Sequence, residues 1–494
     1  MDFLDYVQMT KPQRFAYKVK SFFTGIPRAC MKGAAVVGDG IKKFFMMIAN
    51  GFVGYGNRFV KGDVGVKASY VFMGAGNLTH GEVPKGILYF LLEVLYFVYF
   101  FGFGWDWLSK FSTLGTQEAY VIKDEWGFST HVPGDDSMRI LLFSVLTFII
   151  TIAFFAFYIQ NTKSAFRAYE AKKAGKKPLS FVAELKDFLD EKFHITLLTL
   201  PIILLLVFTV LPIIFTIFIA FTNYDKLHYP PEKLFTWVGF ENFQNVFYLN
   251  PQMSTTFGKI LLWTIIWAIF STFTCYIGGM VLAILINKKG IRFKAFFRTM
   301  FVISAAVPQF VTLMLMSQLL ATNGVINKML LANGFDMIPF LSDPFLAKVT
   351  VIIVNMWIGI PFTMLMISGL LMNIPADLYE SARIDGANAF QQFTKITLPY
   401  MLFVTTPYLI STFVGNINNF NVIYLLTGGG PATVDYYQSG QTDLLVTWLY
   451  KLTVDQQDYK LGAVIGILVF VICAVGSLIS FNLSKSSKNE EEFS

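Results

Sequence analysis

Charge is what this chain has least of: 14% of its 494 residues are Asp, Glu, Lys or Arg, against 55% hydrophobic and 17% aromatic. With a positive mean hydropathy, that scarcity excludes an ordinary water-soluble domain, in which about a quarter of the residues are charged. Cysteine is nearly absent too. Cys30, Cys275 and Cys473 stand far apart, the last two inside apolar runs, and make no disulfide framework; they read as small core residues. The four histidines, His80, His131, His194 and His228, have no cluster of Cys, His or Asp beside them, which argues against a metal site. No G-x-x-x-x-G-K-[ST] loop occurs to hold ATP phosphates, and no nucleophile-and-base constellation stands out. No cleavable leader is evident either: the first long apolar run begins only near Lys85, so the first span is expected to direct insertion.

What is present is long apolar runs. A spanning helix needs roughly 20 mostly apolar residues, and eight stretches qualify: 86–104, 139–160, 195–222, 259–286, 299–321, 348–372, 398–418 and 461–483. The fold class is therefore an all-α polytopic membrane protein, and an even number of spans puts both termini on one side. The net charge of +7 follows the same topology. Of 39 Lys and Arg, 29 fall in residues 1–85, 161–194, 287–298, the connection 373–399 and the tail. By the positive-inside rule these segments and both termini are cytoplasmic, so the basic excess reflects orientation in a cell membrane and not nucleic-acid binding.

The expected organisation is an extension (1–84), two spans (85–160), a basic linker (161–194), a six-span core (195–484) and a cytoplasmic tail (485–494). In the extension, Ile41 to Ile48 interleaves lysines with Phe and Met, as in a segment lying on the lipid of the inner leaflet. A partly ordered extension accounts for it equally well, because Gly33, Gly38, Gly40, Gly51, Gly54 and Gly56 interrupt any long helix. Lys172-Lys173-Ala174-Gly175-Lys176-Lys177-Pro178 marks the linker.

The connection 373–399 carries the sharpest pattern. It contains Glu380-Ser381-Ala382-Arg383-Ile384-Asp385-Gly386, then after nine residues Ile396-Thr397-Leu398-Pro399. That reads as helix, glycine turn, helix and a span-opening proline, a rigid knob at the membrane surface. The segment resembles the EAA loop of membrane subunits of binding-protein-dependent ABC importers, with Ser381 the one departure. From residue 195 onward the chain looks like the larger membrane subunit of maltose and maltodextrin importers, MalF-like, with a type I importer (MetI-like) core. The matching text includes Asn355-Met356-Trp357-Ile358-Gly359-Ile360-Pro361, Asn418-Asn419-Phe420, Leu426-Thr427-Gly428-Gly429-Gly430-Pro431 and Thr442-Asp443-Leu444-Leu445-Val446.

The resemblance implies a permease that is not itself an enzyme and holds no cofactor. Its implied partners are a second, MalG-like permease and two MalK-like ATPases that bind ATP and Mg²⁺. An extracellular binding protein would deliver an oligosaccharide, maltose or maltodextrin in the resembling proteins. It also implies that 373–399 docks into the ATPase as a coupling helix: Glu380, with Ser381 and Asp385 beside it, makes the polar contact, Ala382 and Ala387 permit close approach, and Gly386 sets the turn.

Polar residues inside apolar spans are costly against lipid and mark a path or a packing seam. Asn355, Ile358, Gly359 and Phe362 on the sixth span are spaced 0, 3, 4, 7, and Thr412, Gly415, Asn416 and Asn419 on the seventh repeat the spacing, which puts each set on one helical face. Amides and hydroxyls can exchange hydrogen bonds with sugar hydroxyls, and a ring can cover a pyranose face; interhelical packing is the competing account. In the resembling family these positions, with Ala305 and Gln309 on the fifth span, line the sugar site. Ala305 and Gly415 stand where maltose permeases carry rings, which points to a roomier cavity for longer or other oligosaccharides. The connection 223–258 lacks the large insert of some of those permeases. After the seventh span, the Gly428–Pro431 turn leads to Tyr436, Tyr437, Asp443 and Trp448, expected to face the binding protein or its sugar. Two other classes compete. An ion-driven transporter needs a deep acidic residue, for which only Glu93 qualifies; a scaffold without substrate has no use for the polar faces.

Overall fold

The structure, a computed structural model, describes residues 49–123, 129–175, 193–288 and 292–483 with a few isolated positions between them. Cys30, half of the Ile41–Ile48 stretch, the greater part of the linker beyond Gly175 and the tail beyond Leu483 lie outside the described residues. Among the described residues, eight helices are long and apolar enough to cross a bilayer: Val83–Ser109, Ser137–Lys173, Thr196–Ile219, Pro251–Asn287, Gln309–Ala332, Pro344–Leu371, Ala389–Ile417 and Tyr459–Leu478. They are numbered here as the first to eighth spans.

Local chemistry sets where the long helices start. Asp136 accepts hydrogen bonds from the Met138 and Arg139 backbone N–H groups at the head of the second span. Asn250 caps the fourth and Asp343 the sixth, each followed by a proline in the first turn, where the missing N–H is harmless. The fifth span departs from its expected limits. Its run of 299–321 is two helices, Lys294–Ala306 and Gln309–Leu320, because Pro308 forces Val307 into extended backbone and cannot itself donate to the ladder. Hydropathy does not register that break. The helices are interrupted, whereas the apolar run is continuous.

Contacts divide the chain into two units, with the line drawn at 242/243 and residues 458–463 grouped with the amino-terminal one. In the amino-terminal unit, residues 49–82 are helical and folded, with Gly51, Gly54 and Gly56 inside one helix. The third span, placed with the core by sequence, here packs in the amino-terminal unit: Phe218 meets Phe111 and Trp237 edge-on at 5.6 and 5.9 Å. A polar network ties residues 63–82 to the first two spans. Glu93, buried at 8% exposure, accepts from the Met73 N–H at 2.8 Å; Asn161 accepts from the Gly74 N–H and donates to the Ser69 carbonyl; Asn77 donates to Ser164 and Glu82. Glu93 thus satisfies a buried backbone donor, a structural use for a costly residue. Gly74, at φ +84°, lies so close to the Gly86 backbone that a Cβ would overlap it. The one sheet among the described residues is the hairpin Tyr120–Lys123 with Ser129–Val132.

The carboxy-terminal unit is built on the fourth and sixth spans, whose windows are each 44% buried. Small residues let their backbones approach, as is usual between helices in lipid: a Cβ on Gly279 would stand 2.9 Å from the Met364 backbone nitrogen, and one on Gly278 would strike Ile360. Two apolar clusters result. One gathers Trp263, Trp267, Leu313, Val351, Val354 and residues of the helix Phe420–Thr427; the other gathers Tyr276, Met280, Ala283, Met364, Ile367, Ile374 and Met401.

Candidate functional site

The residues singled out on the sixth and seventh spans converge on the fourth. Asn355, 7% exposed, directs its amide to the Cys275 sulfur at 3.6 Å, and a Cβ on Gly359 would stand 2.6 Å from that same sulfur. From the seventh span, the Asn416 side-chain amide donates to Thr272 Oγ1 at 2.9 Å while the Asn416 backbone carbonyl accepts from Trp267 Nε1. Thr272 and Cys275 are one turn apart, so two asparagines grip one stretch of one helix. Ile358 packs on the cluster around Trp263. The open positions are Phe362, 63% exposed, Gly415, with nothing within 4 Å of a built Cβ, and half-buried Thr412.

The expected seventh-span face is shorter than its spacing indicated. The helix ends at Ile417, and Asn419 is the cap of the next one, accepting from the Val422 N–H at 3.3 Å and donating to Asn416 Oδ1 at 3.4 Å. Gln309 is half-buried at the first position of the second half of the fifth span, and the backbone of Ala305 is helical just before the break. Thr272 and Trp267 escaped the sequence reading, which took Cys275 only as a small core residue. A stripe of small residues on the fourth span, Thr264, Ala268, Ser271, Thr272, Cys275 and Gly279, was the available signal.

The connection 373–399 holds a two-helix protrusion, Ala376–Ile384 and Ala389–Gln392. Gly386 is at φ +78°, its N–H donates to the Arg383 carbonyl, and the Ala387 N–H donates to the Ala382 carbonyl at 2.8 Å. That pair of bonds is a Schellman ending, which requires a left-handed residue and favours glycine. The half-buried Ala382 and Ala387 meet across it. Asn388 and Gln391 then form a reciprocal capping box for the second helix. At the base, the Tyr379 hydroxyl bonds Thr397 at 2.8 Å, and Tyr379, Phe393 and Ile396 pack against the cluster holding Ile374 and Met401. At the tip Glu380, Ser381 and Asp385 are exposed beside Leu378, Ile384 and Phe390, whose exposures are 50, 87 and 73%.

The connection after the seventh span differs from expectation at two residues. Asp443 and Trp448 are both fully buried and so do not face outward. Asp443 accepts from the Gly440 N–H, Thr447 Oγ1 and Lys451 Nζ, the last at 2.6 Å. Burial pushes its carboxyl up from the usual carboxylate range, against the opposing pull of Lys451. Trp448 Nε1 donates to the Tyr437 carbonyl. Gly429, at φ +81°, lies against the Asp443 carboxylate where any Cβ would collide, which gives the glycine run its reason.

Comparison with known proteins places these features. The family described as binding-protein-dependent transport system inner membrane component matches residues 276–488. The galactooligosaccharides transport system permease protein GanP of Bacillus subtilis (strain 168) is 36% identical over 85% of this chain and 97% of its own length. The maltodextrin transport system permease protein MdxF of the same organism is 35% identical over 85% of this chain and 95% of its own. Among solved structures, a chain of a bacterial alginate ABC transporter in complex with an alginate pentasaccharide-bound periplasmic protein superposes with a TM-score of 0.50 at 24% identity, covering 61% of this chain and 96% of that one. That last likeness concerns the fold alone.

Proposed function

Since the chain belongs to the family of binding-protein-dependent transport system inner membrane components, as the permease subunit of a sugar ABC importer, we propose that it carries neutral oligosaccharides of the maltodextrin or galactooligosaccharide type across the cell membrane. In this reading an external binding protein delivers the sugar, a second MalG-like permease completes the path, and two MalK-like ATPases bind ATP with Mg²⁺ on the cytoplasmic face, where both termini lie. The observation that carries the mechanism is the protrusion at 376–392. It is capped at both helices and anchored at its base, so it moves as one piece with the sixth and seventh spans, while its apolar tip is left to dock elsewhere. Movement of the ATPase pair then becomes rocking of the spans between inward-open and outward-open states.

The sugar path follows from the same geometry. Asn355 and Asn416 fix the sixth and seventh spans onto the fourth, and Phe362, Gly415, Thr412 and Gln309 are left to face the passing sugar, the ring covering an apolar pyranose face. Ala305 and Asn419 complete the set. Ion coupling lacks a carrier, because Glu93 is committed to the Met73 N–H.

The test is reconstitution with partner subunits and binding protein, reading sugar-stimulated ATP hydrolysis and uptake together. Gly386→Pro removes both the left-handed backbone and the N–H bonded to Arg383; it is expected to abolish transport-linked hydrolysis while sugar binding persists. Normal hydrolysis in that variant would refute the assignment.

A further inference from the structure

A second feature of the carboxy-terminal unit is absorbed neither by the spans nor by the protrusion. Beyond the seventh span a cleft of about 540 Å³ is lined by Gln252, Tyr436, Gln438, Ser439, Lys451 and Gln456, among others. That volume is in the range of small-ligand sites. The wall is held rigidly. Asp443 bonds the Gly440 N–H, Thr447 and Lys451 from beneath; the Tyr436 hydroxyl donates to Gln441, and the Lys259 ammonium sits 5.3 Å over its ring; Gln252 is tied to the Val434 carbonyl.

Two observations mark this wall as built for a ligand. The Ser439 hydroxyl is buried and, among the described residues, has no hydrogen-bond partner, a condition native proteins avoid unless something else satisfies the group. Its neighbour Gln438 is held at φ +51°, a left-handed conformation that costs a non-glycine residue energy and tends to cluster at binding sites. The electrostatics then select the ligand. Lys451 is neutralised by Asp443 at 2.6 Å, and Asp455 is the other charged residue on the wall, so the charges of the lining residues themselves offer an anionic sugar no unpaired cation. Amides, a serine hydroxyl and tyrosine suit a neutral polyol.

We infer that this cleft is an outer subsite for a neutral oligosaccharide, which holds the end of a long chain whose other end has reached the Asn416–Asn419 region. The two places are joined by the single helix Phe420–Thr427, about 12 Å long at 1.5 Å per residue. Asn419 caps its start, and Thr427 and Gly428 line the cleft at its end. A short sugar occupies the inner place alone; a longer one touches both. The inference rests on the importer reading above.

The experiment uses the full reconstituted complex with its binding protein, and labelled dimer and pentamer of whichever series, malto- or galacto-, the wild type imports. Ser439→Ala removes the orphaned hydroxyl, and Gln438→Gly removes the amide while relieving the backbone. Each is expected to raise KM for the pentamer about tenfold, the loss of one or two hydrogen bonds to an uncharged ligand, with dimer KM and kcat unchanged. Equal effects on both sugars, or none, would overturn the subsite. So would a parallel fall in ATP hydrolysis stimulated by sugar-free binding protein, which would make the cleft a protein contact. Failure of the importer reading itself would show separately, as wild-type protein without ATP-dependent uptake of either sugar.

Discussion

The two connections flanking the seventh span are built on opposite plans. The one before it, 373–397, buries its base and exposes apolar side chains at its tip: Ile384 is 87% and Phe390 73% exposed. The one after it, 428–456, buries polar side chains and turns them on itself, with Asp443 and Thr447 at 0% exposure and bonded to each other. An exposed isoleucine and phenylalanine gain about 1.5–3 kcal/mol each when a partner covers them. A buried aspartate gains nothing from a partner and holds its own loop. In the proposed reading the first connection docks, while the second keeps a shape.

The comparison breaks most severely at Asp443. Asp443→Ala leaves Lys451 with a side chain 19% exposed and no counter-charge at that position, along with an unmet donor on Gly440. Breaking such a pair costs about 3–5 kcal/mol, so the variant should lose folded protein and melt much earlier in detergent. Wild-type melting would mean the second connection is not self-supporting. Ile384→Ala with Phe390→Ala is the converse. Its melting should match wild type, while co-purification with the ATPase falls by about a hundredfold in affinity, the scale of two apolar interface anchors. A lowered melting temperature with intact association would reverse the roles assigned here.

Smaller effects sharpen the contrast. Gly386→Ala keeps the backbone N–H but places a Cβ at φ +78°, which costs about 1–2 kcal/mol; partial loss of coupled hydrolysis should follow, rescued in part by Asn, which tolerates that region. The smallest effect lies in the amino-terminal unit. Burial pushes the Asp225 carboxyl up, but hydrogen bonds from Lys460 and His228 outweigh it and hold it down at about 2. A depressed carboxylate stabilises the fold above its unfolded value near 3.8 and loses that contribution as pH falls toward 2. Melting curves between pH 5 and 2 should therefore fall more steeply for wild type than for Asp225→Asn, and identical slopes would contradict the ion pair Lys460–Asp225 at 2.6 Å.

Much of this was legible before any coordinates. Runs of 20 apolar residues have few alternatives to a spanning helix, and the Gly386 turn was readable because a left-handed helix ending asks for glycine. The rest depended on breaks, caps and pairings that hydropathy and helical period do not register. The break at Val307–Pro308 leaves hydropathy untouched. The seventh-span face assumed that the 3.6-residue period continues to Asn419, but the helix stops at Ile417 and the amide turns to capping. Asp443 read as exposed because loops are polar, whereas Lys451 and Gly440 bring it inside. Glu93 was the one deep acid that the competing ion-driven class could use, and its partner, the Met73 N–H twenty residues earlier, was not legible from the span alone.

The central claim is that the apolar tip of the connection before the seventh span transmits ATP-driven movement to this chain. Replacing Ile384 and Phe390 together by aspartate, in a complex reconstituted with both ATPases and loaded binding protein, tests it most directly through the rate of sugar-stimulated ATP hydrolysis. The account predicts a fall to the unstimulated level with the permease still folded; stimulation equal to wild type would contradict it.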